Sequence, residues 1–166
     1  MEKPLDRLFG LHAKRLADLI GEQGRDAYAL LDIKVDAKWN SLIMALSEHD
    51  GATSTELAAR TGLSRQLVEN RIRKMEASGL IVSEIDAADA RRRLYRINPR
   101  RKKLVEDVHH AMANFEKVYD ALWKEIGIDL SDAVHKAEQA LLKRPLEQRY
   151  AKMFPREVKS KSKDVA

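Results

Sequence analysis

The chain has no cysteine, which removes a disulfide framework and a thiol sensor from consideration and makes a reducing, cytoplasmic compartment the expected setting. Glycine and proline are scarce, seven and four in 166 residues, so long uninterrupted helices are expected. No apolar run approaches the roughly 20 residues that cross a bilayer. The opening stretch MEKPLDRLFGLHAKRLADLI alternates charged with apolar residues and has no clean apolar segment. The signatures of catalysis are missing too: no nucleophile elbow, glycine-rich phosphate loop, metal-spaced cluster or isolated pair of carboxylates. His109 and His110 are adjacent and cannot present both rings on one helix face. No His or carboxylate stands four positions before His109, and Glu106 precedes it by three. Neither an enzyme nor a metal or other cofactor is expected.

What is there is basic charge, in one place. The chain carries 31 basic and 26 acidic residues, a net of +5. The stretch RRRLYRINPRRKK, Arg91 to Lys103, holds eight of the basic side chains and no acidic one. Without it the remainder is 23 against 26, or −3, so the positive potential is local rather than general. Concentrated charge of this kind suits a compact surface facing a phosphate backbone, although a charge run can also be a solvated face. At 44% hydrophobic and 34% charged, the composition supports a packed core in one domain or in two small lobes sharing helices.

Periodicity places the elements. Leu5, Leu8, Phe9, His12, Leu16, Leu19 and Ile20 mark an amphipathic helix, which Gly21 and Gly24 are expected to interrupt before a second apolar group at Ala27, Leu30 and Leu31. Asp36 is a plausible cap for a helix burying Trp39, Leu42, Ile43 and Leu46, and Asp50-Gly51 ends it. Thr53 and Glu56 match the capping-box pattern. The short helix they open stops at Thr61-Gly62, with Ala58 and Ala59 small enough for a close crossing. Ser64 caps the next helix, ended by Gly79, with Val68, Ile72 and Met75 inward and Arg65, Gln66, Glu69, Asn70 and Arg73 pointing elsewhere. Leu80–Ile85 and Arg92–Ile97 read as strands around a turn at Asp86–Ala90. After Pro99, a seam of Val105, Val108, Met112, Phe115, Tyr119, Leu122 and Ile126 alternates spacings of three and four, and Gly127 breaks it. Ser131 is the expected cap of a helix to Leu142 that buries Ala133, Ala137, Ala140 and Leu141. Pro145 and Pro155 bracket a last helical piece, and residues 155–166 read as a disordered basic tail.

Trp39 to Arg101 resembles the winged helix-turn-helix of the MarR family of bacterial transcriptional regulators, and the flanking helices extend the likeness to most of residues 5–145. It is carried by Thr53 to Leu57, the turn Gly62-Leu63-Ser64-Arg65, the run Gly79-Leu80-Ile81, and the wing Asp89-x-Arg91 followed by Ile97-Asn98 where the family has Leu-Thr. Arg101 replaces a glycine common after the wing, Arg71 stands where an apolar residue is usual, and Leu67 and Glu69 stand where small polar residues are common. Arg71, within ENRIRKM, is similar to the recognition helix of Lrp-type regulators. The fold so implied is mainly α with a small β-hairpin wing. It comprises an N-terminal dimerisation region (1–34), the DNA-binding lobe (35–100), C-terminal dimerisation helices (101–154) and the tail.

For such a lobe, Arg65, Gln66 and Asn70 have the position and chemistry to read base edges in the major groove: Arg forks onto guanine, and Gln or Asn pairs with adenine. Leu67 either meets a thymine methyl or completes the core. Arg71 and Lys74 either reach phosphates or are solvated helix charges. Arg91 is the candidate for the minor groove, with Arg92 and Arg93 flanking the backbone. Asp89 would repel phosphate, so its expected role is to hold the wing tip and orient Arg91 through a charge-assisted pair.

The resemblance implies a homodimer joined by terminal helices. The apolar N-terminal face and the Val105–Ile126 seam supply more hydrophobic surface than a small head can cover, although part of that seam can pack within one chain. It also implies a small aromatic or anionic effector, in a crevice whose walls here include His12, Arg15, Trp39, His109 and His110; each is otherwise a core or surface filler. The expected function is a repressor bound as a homodimer to a pseudo-palindromic operator and released by such an effector. The alternatives are a nucleoid-type protein that binds any duplex and, further off, an enzyme.

Overall fold

The computed structural model describes residues 8–49 and 51–157. The expectations placed on Leu5, on Asp50 and on the tail from 158 onward lie outside the described residues. By its contacts the chain parts into two compact units between Ala113 and Asn114, within one long helix.

The first unit opens with α1 (Phe9–Leu30), a single 22-residue helix. The expected interruption at Gly21 and Gly24 does not occur. An interior glycine costs about 1 kcal/mol relative to alanine, too little to stop a helix that nothing else opposes. The helix ends where Asp32 takes a left-handed φ of 51°. Only Tyr28 of α1 is buried, and its hydroxyl donates to Asn40 Oδ1 at 2.7 Å. The Asn40 amide in turn reaches the Met112 sulfur at 3.3 Å, so one polar chain ties the end of α1 to two other helices. Burial holds the Tyr28 hydroxyl above the usual tyrosine range.

Asp36 caps as expected, but on a 3-10 turn, Ala37–Trp39, that leads into α2 (Asn40–Ser47). Leu42, Ile43, Ala45 and Leu46 are buried, whereas Trp39 is only half-buried. The core gathers these with Leu57 of α3 (Ser54–Thr61), with Val68, Ile72 and Met75 of α4 (Arg65–Ala77), and with Leu80, Ile81, Val105, Val108 and Ala111. Ala58 is half-buried, but Ala59 is exposed and takes no part in helix crossing.

β1 (Ile81–Ile85) and β2 (Arg93–Ile97) pair antiparallel in the register Ile81 to Ile97 and Ile85 to Arg93. Fully buried Ala52 adds a one-residue bridge to Tyr95, with N–H···O distances of 3.0 and 2.9 Å. A 3-10 turn, Pro99–Arg101, starts the long helix α5 (Lys102–Ile126), and Asn98 Oδ1 accepts the Arg100 N–H that caps that turn. The start of α5 packs into this core through Val105, Val108 and Ala111, which is why the unit extends beyond residue 100.

The second unit holds the end of α5, then α6 (Leu130–Lys143) and α7 (Leu146–Met153). Tyr119 stacks on Trp123 at 5.6 Å. Gly127, at φ 71°, ends α5. The cap of α6 is Asp129, not the expected Ser131: its carboxylate accepts the Asp132 N–H at 2.9 Å, while Ser131 Oγ accepts from Trp123 Nε1 at 3.0 Å. The expected burial of Ala133, Ala137, Ala140 and Leu141 is absent, since α6 and α7 bury no residue in the single chain. Arg149 closes the turn between them, donating to the carbonyls of Arg144 at 2.8 Å and Ala140 at 2.6 Å.

Candidate nucleic-acid interface

The site is built on two caps and one glycine. Thr53 Oγ1 accepts the Glu56 N–H at 3.2 Å, and Glu56 Oε2 accepts the Thr53 N–H at 2.8 Å, so the capping box that opens α3 is complete. These hydrogen bonds hold the Glu56 carboxyl below the usual range against the opposing effect of burial, with smaller help from Arg92 and Arg60. α3 ends at Gly62, whose φ of 67° admits a side chain only with strain. Ser64 Oγ then accepts the Leu67 N–H at 3.3 Å and starts α4. The apolar side of α4 is turned into the core, and that fixes which side chains face out.

Arg65, Gln66, Leu67, Asn70, Arg73 and Lys74 are exposed and Arg71 is half-buried. Leu67 is 37% exposed, so it does not complete the core. Arg65 is engaged by Glu69 across one helical turn at 3.0 Å. Gln66, Asn70, Arg71 and Lys74 make no side-chain hydrogen bond or ion pair among the described residues, leaving their donors and acceptors available to an external partner. At the far end of α4, Arg101 donates to the Ser78 carbonyl at 3.4 Å and Asn98 Nδ2 to the Gly79 carbonyl at 2.9 Å. Arg101, which replaces a glycine in the family pattern, thus serves as a cation on a helix C-terminus.

The wing tip is a pair of successive aspartate turns. Asp86 Oδ1 accepts the Ala88 N–H and Asp89 Oδ1 the Arg91 N–H, both at 2.9 Å. The Asp89 carbonyl accepts the Arg92 N–H, also at 2.9 Å. Asp89 therefore holds the tip through backbone, and the expected side-chain pair with Arg91 is not formed, because its carboxylate is already turned onto that N–H. Arg91 is exposed with an unpartnered guanidinium among the described residues.

Arg92 and Arg93 differ. Arg92 meets Glu56 at 3.0 Å and Asp86 at 3.6 Å, and Arg93 donates to Ser83 Oγ at 3.3 Å, itself bonded to Glu76 of α4. Sequence reading missed these partners, which lie up to 36 positions away. The three arginines, Arg65, Tyr95 and residues 53–56 line one hollow of about 440 Å³ between the wing and the starts of α3 and α4. Burial raises the Tyr95 hydroxyl, with Arg93 opposing and Glu76 and Glu69 adding to the shift.

The residues expected to meet an effector are not gathered in one chain. His12 and Arg15 share a shallow hollow on α1 with Leu16, Asp18, Leu19 and Glu22. His109 lines a larger cavity, about 790 Å³, between the end of α2, the hairpin and the start of α5, with its ring nitrogen 3.0 Å from Ser47 Oγ. Trp39 and His110 line neither. Among the described residues no group of three His, Cys, Asp or Glu side chains is placed to hold a metal, and no helix is long and apolar enough to cross a membrane.

Residues 36–92 match the model of the MarR family. Among solved structures, the chain is similar to the transcriptional repressor CouR bound to a 23-mer DNA duplex, at 20% identity and a TM-score of 0.65 over 83% of this chain and 94% of that one. It is similar to the MepR–DNA complex of S. aureus at 17% identity and a TM-score of 0.63, covering 83% and 98% of the two chains. The PcaV transcriptional regulator from Streptomyces coelicolor, in complex with its natural ligand, matches at 17% identity and a TM-score of 0.62 over 87% and 98%. No curated protein sequence matches the chain. The capped helix pair, the αL glycine between its helices and the arginine-bearing tip of the hairpin all lie in the matched segment, and it is through residues 36–92 that the chain is similar to the MarR family.

Proposed function

We propose that the chain is a repressor that binds a pseudo-palindromic operator as a homodimer and leaves it when a small aromatic or anionic effector binds. The observation that carries the DNA half is the outer face of α4: Gln66 and Asn70 are exposed and make no side-chain hydrogen bond among the described residues, and Arg91 is exposed on the wing. Amide side chains on the first turns of a groove-inserted helix read base edges, while guanidinium groups on a wing hold the backbone or enter the minor groove. In this reading Leu67 meets a thymine methyl, Arg65 reads or steadies the groove edge, Arg71 and Lys74 reach phosphate, and Asp89 shapes the tip. Two relatives of the same fold are described as bound to DNA, which supports the assignment.

Dimerisation is assigned to the terminal regions, 1–34 and 101–154. Among the described residues, apolar side chains stand exposed on α1 (Leu16, Leu19, Ile20), on α5 (Leu122, Ile126) and on α6 and α7 (Leu142, Leu146, Met153). The effector half rests on the α1 hollow, where His12 and Arg15 stand beside two leucines on a face that dimerisation would cover. Moving DNA occupancy from 99:1 to 1:99 needs about 5.5 kcal/mol of preference between two states, or about 2.7 kcal/mol from each of two sites. Such a regulator acts in the cytoplasm, where its operator is.

A gel shift tests the reading, comparing the DNA flanking its own gene with a random duplex of equal length at two salt concentrations. Preferential retention of the first at the higher salt supports it. Equal binding of both, lost equally with salt, makes the protein a nucleoid-type binder instead. For the effector, hits from a thermal-shift screen of aromatic acids must also weaken the shifted complex; hits that bind and leave DNA affinity untouched sink that half alone.

A further inference from the structure

The wing tip is hydrogen-bonded to the helices through one side chain among the described residues. Among the described residues, the hydrogen bond from Arg92 Nη2 to Glu56 Oε1, 3.0 Å, is the only one that joins the turn 86–92 to any helix. The carboxylate that receives it is already occupied on its other oxygen by the Thr53 N–H, so Glu56 cannot swing away without opening the capping box of α3. The guanidinium is held on its other edge as well: Arg92 Nε lies 3.6 Å from Asp86 Oδ2, a carboxylate only 15% exposed whose other oxygen closes the first aspartate turn. The Asp86 N–H meanwhile donates to the Arg92 carbonyl at 2.9 Å. Arg92 is thus fixed between two carboxylates that are each fixed by backbone. Elsewhere the hairpin is held nearer its base, by Ser83 with Glu76 and by the Ala52–Tyr95 bridge.

We infer that Glu56 and Arg92 form a latch that sets the wing tip against the start of the helix-turn-helix, making Arg92 a positioning residue for its neighbour Arg91 rather than a DNA contact. This deepens the DNA-binding reading and rests on it. The physical need is plain: α4 and Arg91 must meet one duplex at a fixed separation, and a ribbon of two five-residue strands does not hold its tip rigid unaided. Arg92, one position from Arg91 and anchored to the helix that precedes α4, supplies the fixed distance.

Two sets of variants separate a latch from a phosphate contact. Glu56→Gln keeps an amide oxygen for the Thr53 N–H but removes the charge that holds Arg92. If Arg92 bound phosphate, Glu56→Gln would free it and take a negative charge away from the duplex, so affinity would rise. As a latch, Glu56→Gln lowers operator affinity, by about two- to fivefold, the range a half-exposed ion pair supports. Arg92→Gln lowers it by a similar factor with the salt slope unchanged, and the double variant is no worse than either single one. A rise in affinity with Glu56→Gln, or a salt slope shallower by about one unit in Arg92→Gln, overturns the inference.

Backbone ¹⁵N relaxation of residues 88–92 in the free protein gives a readout without DNA. Order falls in Glu56→Gln and Arg92→Gln but not in Arg91→Gln if the latch exists; unchanged order in both overturns it. Should the wild-type chain show no preference for any duplex, the DNA-binding reading fails, and the relaxation data still decide whether the tip is latched.

Discussion

In the proposed reading, Gln66, Asn70 and Arg91 divide the work of recognition by chemistry. An amide offers a paired donor and acceptor that match adenine in the major groove, while a guanidinium at the wing meets phosphate or a narrow minor groove irrespective of most sequence. Arg91→Ala is therefore expected to weaken binding to every duplex and to shallow the log–log salt slope by about one unit. Gln66→Ala and Asn70→Ala are expected to relax preference at particular base pairs and leave that slope alone. Titration on an operator series at three salt concentrations checks both; an Arg91→Ala protein with wild-type affinity and slope contradicts the wing assignment. The outward placement of Gln66 and Asn70 was legible in the sequence because helical periodicity sends Val68, Ile72 and Met75 inward and the others out. The partners of Arg92 and Arg93 were not, since tertiary placement brings Glu56 and Ser83 to them from other elements. Glu56 also makes a pH prediction. Its carboxyl is depressed in the folded chain, first by the Thr53 hydrogen bonds, so it contributes stability above its unfolded pKa that is lost as pH falls through the folded one. Glu56→Gln is expected to flatten that part of the acid limb in urea-melt midpoints taken from pH 6 downward; an acid limb identical to wild type contradicts it.

The helix-turn-helix is a set of local rules in agreement, and its elements are as strong as their caps. Thr53→Ala removes the hydroxyl that accepts the Glu56 N–H, and a lost N-cap of this kind costs about 1 kcal/mol. Urea unfolding should register it as a lower midpoint with an unchanged slope; a midpoint within error of wild type would mean that α3 does not depend on its cap. Element boundaries set by caps and αL glycines were readable in advance for this reason: Thr53, Gly62, Ser64, Gly79 and Gly127 each act on their own neighbours. Reading failed where the signal was weak or competed. Gly21 and Gly24 looked like breaks but lack a positive φ and sit within an unbroken α1. Asp129 and Ser131 compete for one cap, and Ser131 is drawn off by the Trp123 indole. The Ala52–Tyr95 bridge is one residue long, below the length at which alternation can be seen.

For the whole molecule, what lies uncovered matters most. Leu16 and Leu19 are 40% and 49% exposed in the single chain, and α6 and α7 bury nothing. Charge placed at such positions costs the isolated protomer little but is costly inside an apolar interface. The double variant Leu16→Glu/Leu19→Glu is thus expected to keep the helical circular dichroism of the wild type while light scattering reports half its mass and operator affinity collapses. A variant that remains a tight-binding dimer contradicts the assignment of α1 to the interface. The heptad seam of α5 was legible as a stripe, but not its division into a part that closes the core, Val105 and Val108, and a part left open, Leu122 and Ile126. Spacing does not say which neighbour a face will meet. Sequence-specific binding by a twofold dimer is tested most directly by selecting sites from a random duplex pool, footprinting the winner and weighing the complex. We expect two inverted half-sites centred about 10 bp apart, protected together by two chains. No enrichment over random duplex, or full-affinity protection of one half-site by a single chain, would contradict it.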